Sequence, residues 1–168
     1  MLSSLCLIAL ILVPADGAGN WPQWRGPKRD GVSTDTGLLT EWPTDGPKLL
    51  WEAKGAGRGY ASVAITGGRI YTMGDKLSED AEDTYATCFE EAGGKLVWKT
   101  KLSAPYNGGQ PNWQGSRSTP TVDGDQIYYM TPQGDLVCLK TSDGKEVWRK
   151  NLVDDIGGKK DDPWGYSE

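Results

Sequence analysis

Cys88-Phe89-Glu90-Glu91-Ala92-Gly93-Gly94-Lys95-Leu96-Val97-Trp98 lies over Cys138-Leu139-Lys140-Thr141-Ser142-Asp143-Gly144-Lys145-Glu146-Val147-Trp148 at a shift of 50 residues. In each copy an apolar run led by cysteine reaches a Gly-Lys turn, and a second short run ends in tryptophan. Self-similarity at such a period is the mark of stacked repeats, each too small to bury its apolar faces alone. Upstream, Ser62–Tyr71 lies over Thr119–Tyr128 at a shift of 57, so the first copy carries seven extra residues, placed in Gly74–Thr84.

Each copy holds the parts of a four-stranded antiparallel unit. Strand A ends near Ile65 or Val122, a Gly-Gly or Gly-Asp turn follows, and strand B carries Ile70-Tyr71 or Ile127-Tyr128-Tyr129. Such dipeptides between apolar runs are hairpin signals, because their backbones reach the positive φ that tight turns demand. A longer loop leads to strand C, centred on Cys88 or on Leu136–Leu139, and after Gly94 or Gly144 strand D runs into Trp98 or Trp148. Gly46-Pro47-Lys48-Leu49-Leu50-Trp51 reads as a further strand D with no A, B or C before it. The spacings of 47 and 50 residues between Trp51, Trp98 and Trp148 suit propeller blades. At the other end Gly165-Tyr166-Ser167-Glu168 matches Gly59-Tyr60-Ala61-Ser62, the start of strand A. The expected fold class is all-β: a partial β-propeller with about two complete blades, an orphan closing strand and the start of a third blade. Two blades cannot close a ring, so the polypeptide is expected to continue beyond Glu168.

Composition agrees with many short strands. There are 8 Trp and 7 Tyr against 1 Phe, with 23 Gly and 10 Pro. Net charge is −5, from 18 basic and 23 acidic residues spread along the chain, so no basic stripe awaits a phosphate backbone and nucleic acid is excluded as a partner class. Histidine is absent, which removes Ser-His-Asp and Cys-His catalysis from this chain.

The expected organisation is a signal peptide over 1–17, an N-terminal extension over 18–45, and repeats over 46–168. Leu5–Val13 is an apolar run too short to span a bilayer comfortably, and small residues follow it, as at a cleavage site. The reading implies a periplasmic or secreted protein whose mature chain has no membrane span. Of the cysteines, Cys88 and Cys138 remain after cleavage. Equivalent positions on adjacent blades stand about 10 Å apart, beyond disulfide reach, so both are expected to be free thiols.

Ser142–Trp148 resembles the tryptophan-docking motif of quinoprotein-like, or PQQ-like, β-propeller repeats, with Leu96–Trp98 as the looser copy. Asn20-Trp21-Pro22-Gln23-Trp24-Arg25-Gly26-Pro27 is similar to the start of exported bacterial members, grouped with BamB-like outer-membrane assembly propellers. The resemblance implies that Trp51, Trp98 and Trp148 dock one blade on the next, and that Trp21 and Trp24 cover a propeller surface. It implies pyrroloquinoline quinone and Ca²⁺ for members with a vicinal cysteine pair and converging acidic ligands. This chain has no Cys-Cys pair, and Glu79-Asp80, Glu82-Asp83, Asp154-Asp155 and Asp161-Asp162 lack a recognisable ligand spacing.

In a propeller the B-to-C and D-to-A connections share one face. The long connections Gly74–Thr84, Ser103–Gly115 and Val153–Pro163 all fall there, and loops on a rigid scaffold supply most binding groups. Tyr106, Asn112 and Trp113 combine aromatic planes with amides, while Arg58, Tyr60 and Arg117 precede the inner strands; these six are the candidate ligand contacts. The expected role is a non-catalytic scaffold for an extracytoplasmic protein, peptide or carbohydrate. Two alternatives stand beside it: a quinone-dependent dehydrogenase of alcohols or sugars, and a sensor or cell-surface propeller fused to another module.

Overall fold

The computed structural model describes residues 19–78, 82–108, 110, 112–159 and 163–167. The expected signal segment lies outside them, as do Glu79, Asp80, Asp161 and Asp162. Eight strands form two four-stranded antiparallel sheets. The first contains β1 (Ala64–Thr66), β2 (Arg69–Asp75), β3 (Thr84–Glu90) and β4 (Leu96–Ser103); the second contains β5 (Thr121–Asp123), β6 (Gln126–Met130), β7 (Asp135–Lys140) and β8 (Glu146–Asn151). Both sheets run in simple sequential order, so each repeat of the sequence is one propeller blade. Gly67 and Gly68 close the first A-to-B hairpin at φ of 59° and 71°, the double positive φ of a two-residue turn. The C-to-D connections span five residues each, longer than the minimal turn that Gly93-Gly94 and Asp143-Gly144 suggest.

Equivalent rows cross the blades: Tyr71, Cys88 and Trp98 in the first, Tyr128, Cys138 and Trp148 in the second. Beside both tryptophans the C–D ladder slips by one residue, leaving Val97 and Val147 without an opposite partner. A bulge of this kind increases local twist and redirects the side chain next to it. The first blade's Tyr71, Met73, Ala86, Cys88 and Trp98 form one buried cluster with Ile127, Tyr129, Val137 and Leu139 of the second, so the interior is the interface between blades.

The Trp98 indole crosses that interface and donates its N–H to Thr141 O at 3.0 Å. Its ring lies so close to Gly144 that a Cβ there would come within 2.6 Å. Trp51 packs the same way on Gly94, where a Cβ would come within 2.7 Å of its ring. Gly46–Trp51, expected as a closing strand, nevertheless forms none: a ladder needs a strand C beside it, and the described residues hold none there. Trp148 remains 38 % exposed.

The N-terminal extension straps the inner strands together. Trp21 N–H and C=O pair with Ile65 O and N at 2.6 and 2.8 Å, and Pro22 O accepts from Val122 N at 2.8 Å, joining β1 to β5. Trp21 packs its ring on Gly26, whereas Trp24 is half exposed with the Arg25 guanidinium 5.4 Å from its ring centre.

Cys88 and Cys138 are buried free thiols. Burial pushes the Cys88 thiol up to about 11 and the Tyr71 hydroxyl up to about 12, the neighbouring thiol adding to the latter. Groups that hold protons more tightly when folded favour the folded state until the unfolded chain begins to ionise. Stability is therefore expected to be flat up to about pH 9, the ordinary thiol value, and to fall as pH rises through 11. Urea midpoints between pH 8 and 11 measure this, and Cys88→Ala should flatten part of the decline.

Candidate functional site

Asp75, the last residue of β2, is fully buried on the long-loop side of the first blade. Its Oδ1 accepts from Thr84 Oγ1 and Ser116 Oγ, both at 2.9 Å, and its Oδ2 accepts from Tyr106 N at 2.9 Å. Its backbone pairs in both directions with Arg58, whose guanidinium stands 4.0 Å from Oδ2. A buried carboxylate survives only when paired and hydrogen-bonded. Here the partners come from four separate stretches of chain, which the carboxylate holds in one arrangement.

The chain then crosses from the first blade to the second at backbone distance. Tyr60 N donates to Ser116 O at 2.7 Å, and Gly59, at φ 150°, sits where a Cβ would come within 2.7 Å of that same oxygen. A side chain at this position would force the strands apart.

Above the crossing lies an aromatic and cationic stack. Trp113 stacks on Tyr60, with ring centres 5.6 Å apart and planes 19° from parallel. The Arg117 guanidinium lies 5.0 Å from the ring centre of Tyr60 and 4.9 Å from that of Trp164. A guanidinium between two ring faces is held by the quadrupole of each. Arg117 also donates to Trp113 O, and Tyr60 Oη donates to Asn112 O at 2.9 Å. Next to the stack, Arg58, Gly59, Tyr60, Asn112 and Gln114 line a pocket of about 360 Å³. Arg58 Nη1 donates to Gln114 Oε1 at 2.9 Å, and Gln114 Nε2 donates to Asn107 O at 3.2 Å. Arg58 Nε and Nη2 and Arg117 Nε are buried without a hydrogen-bond partner.

Five of the six expected contacts therefore converge: Arg58, Tyr60, Asn112, Trp113 and Arg117. Tyr106 does not join them. It is buried, its N–H serves Asp75, and its hydroxyl donates to Pro163 O at 2.7 Å, so it braces two loops from beneath. Asp75 carries no motif and was not legible in the sequence.

Residues 82–163 match a family model described as outer membrane protein assembly factor BamB. That stretch is just under half of the chain and holds the second blade whole. The blades of this chain are similar to PQQ-like β-propeller repeats. The repeat protein is similar in structure to BamB from Moraxella catarrhalis, at 16 % identity and a TM-score of 0.46 over 62 % of this chain and 28 % of that one. It is also similar to quinohemoprotein alcohol dehydrogenase from Comamonas testosteroni, at 15 % identity and a TM-score of 0.43 over 62 % and 15 %. The repeat protein thus spans under a third of either solved chain. No curated protein matches it in sequence.

The quinone and calcium that the resemblance implies find no matching donors among the described residues. Cys88 and Cys138 sit buried on strands of different blades, and no three acidic or thiol groups converge. Asp83 is engaged by Lys101 at 2.7 Å, and Asp155 accepts from Asn151 N. No helix among the described residues is long and apolar enough to cross a membrane.

Proposed function

We propose that this chain belongs to an exported, non-catalytic propeller scaffold that binds an extracytoplasmic ligand on its long-loop face. The observation that supports this reading is the stack of Trp113, Tyr60, Arg117 and Trp164 beside the Arg58 pocket. Three of its rings are half exposed although they are large and rigid: Trp113 at 53 %, Tyr60 at 48 % and Trp164 at 40 %. Aromatic planes held at fixed spacing offer contact area at little entropic cost, which is the usual make-up of a recognition surface. The stack rests on a buried carboxylate, so its geometry precedes any ligand. The description of the matched family as an outer-membrane assembly factor supports an extracytoplasmic setting and a binding role.

The test is a screen of the protein against immobilised peptides and glycans, with Trp113→Ala and Tyr60→Ala in parallel. At least one ligand class is expected to be retained, with affinity falling roughly tenfold or more in either variant, as for a central aromatic anchor. Binding unchanged by both substitutions would move the site away from this face.

A further inference from the structure

Arg58 lines the pocket and Arg117 lies against the ring of Tyr60, which also lines it, so two cations stand near one carboxylate. Arg58 and Arg117 stand within one site, and Asp75, fully buried and already accepting three hydrogen bonds, is the one carboxylate among the described residues in an ion pair with either. Arg117 is held by rings and a carbonyl, with no carboxylate partner among the described residues. Three guanidinium nitrogens here lack acceptors. Unpaired cationic donors out of water are costly, and an anionic acceptor relieves that cost.

The main chain around the pocket is already committed. Tyr60 N, Trp113 N and Gly115 N donate to Ser116 O, Gln110 O and Tyr106 O, and both backbone groups of Arg58 pair with Asp75. A peptide backbone therefore finds these groups already taken. Side chains remain: a guanidinium, the amides of Asn112 and Gln114, a phenol oxygen, and the indole plane of Trp113 facing away from Tyr60. The pocket, about 360 Å³, suits one ring with its substituents.

Resting on the binding reading above, we propose that the ligand is an acidic saccharide. One carboxylate-bearing ring enters the pocket with its carboxylate toward Arg58 and its hydroxyls toward Asn112 and Gln114, and an adjoining ring lies on Trp113. Arginine meets carboxylate in a planar, charge-assisted geometry, whereas hydroxyls are served equally by amide donors and acceptors.

The experiment titrates the full chain with trigalacturonate and with its uncharged counterpart galactotriose, read by calorimetry and by indole fluorescence. The acidic trisaccharide is expected to bind about tenfold or more tightly, because a desolvated carboxylate–guanidinium contact is lost in the neutral one. Asn112→Asp places a carboxylate on the exposed rim without touching a buried partner, and should erase that preference while leaving the fold intact. Arg58→Gln should also erase the preference, at a cost in stability because it removes the cation beside the buried Asp75, so its binding is read at a temperature where it remains folded. Equal affinity for the two sugars, no binding of either, or equally tight binding of an oligo-aspartate peptide overturns the proposal. Trp113-dependent capture of peptides or neutral glycans in the screen would still leave the scaffold reading standing, so the two fail separately.

Discussion

Asp75→Ala is expected to destabilise the protein by about 3–5 kcal/mol, since around a fully buried position it takes the acceptor from the Ser116 hydroxyl and the Tyr106 amide and the counter-charge from the Arg58 guanidinium, and leaves the Thr84 hydroxyl only Ala104 O. For a chain of this size that corresponds to a fall in Tm of roughly 10 °C. Asp75→Asn separates shape from charge. Its carbonyl oxygen still accepts from Tyr106 N, and the two hydroxyls can turn to accept from its NH₂, leaving a cost of about 1–2 kcal/mol. Urea denaturation of both variants measures this. A loss in Asp75→Ala no larger than in Asp75→Asn would mean that the carboxylate does not organise the crossing. Because the same residue sets Arg58 against Gln114, both variants should also weaken ligand binding at temperatures where they remain folded.

Trp98→Ala is expected to cost a further class of stability, the attachment of one blade to the next. Removing a buried indole opens a cavity between Tyr71 and Gly144, at about 3–5 kcal/mol. Trp98→Phe keeps much of the apolar contact and loses the donation to Thr141 O, for about 1–2 kcal/mol. Trp148→Ala is the internal control. Trp148 occupies the same place in its own blade and makes the same tilted contact with its tyrosine, yet it is 38 % exposed against 8 % for Trp98, so its replacement should cost about 1 kcal/mol or less. Equal losses at the two tryptophans, measured by calorimetry or urea denaturation, would show that docking across the blades contributes little.

The contrast between the two tryptophans also marks what is readable from residue order. Strand order, blade boundaries and the A-to-B turns were legible because they rest on local chemistry. Alternating apolar residues, Gly-Gly and Gly-Asp turns and the recurring Gly-Lys-x-x-Trp act within a few residues of one another, and a repeat states them twice. The face that carries the long connections followed from blade order, and with it the neighbourhood of Arg58, Tyr60, Asn112, Trp113 and Arg117.

Tertiary structure alone decided the rest. Tyr106 and Trp113 are both aromatic residues of one connection, but Tyr106 turns inward to a carboxylate 31 positions earlier, while Trp113 turns outward onto Tyr60. Asp75 has no motif; its role exists only where Thr84, Tyr106, Ser116 and Arg58 meet. Trp51 docks on Gly94 without a strand around it, and Trp21 and Pro22 join two inner strands whose edges are brought side by side by blade packing. Period and turn chemistry determine a blade, because a strand's partner is the next strand in the chain. Burial, charge pairing and the choice between brace and ligand contact depend on which distant segments share a volume, and no local spacing encodes that.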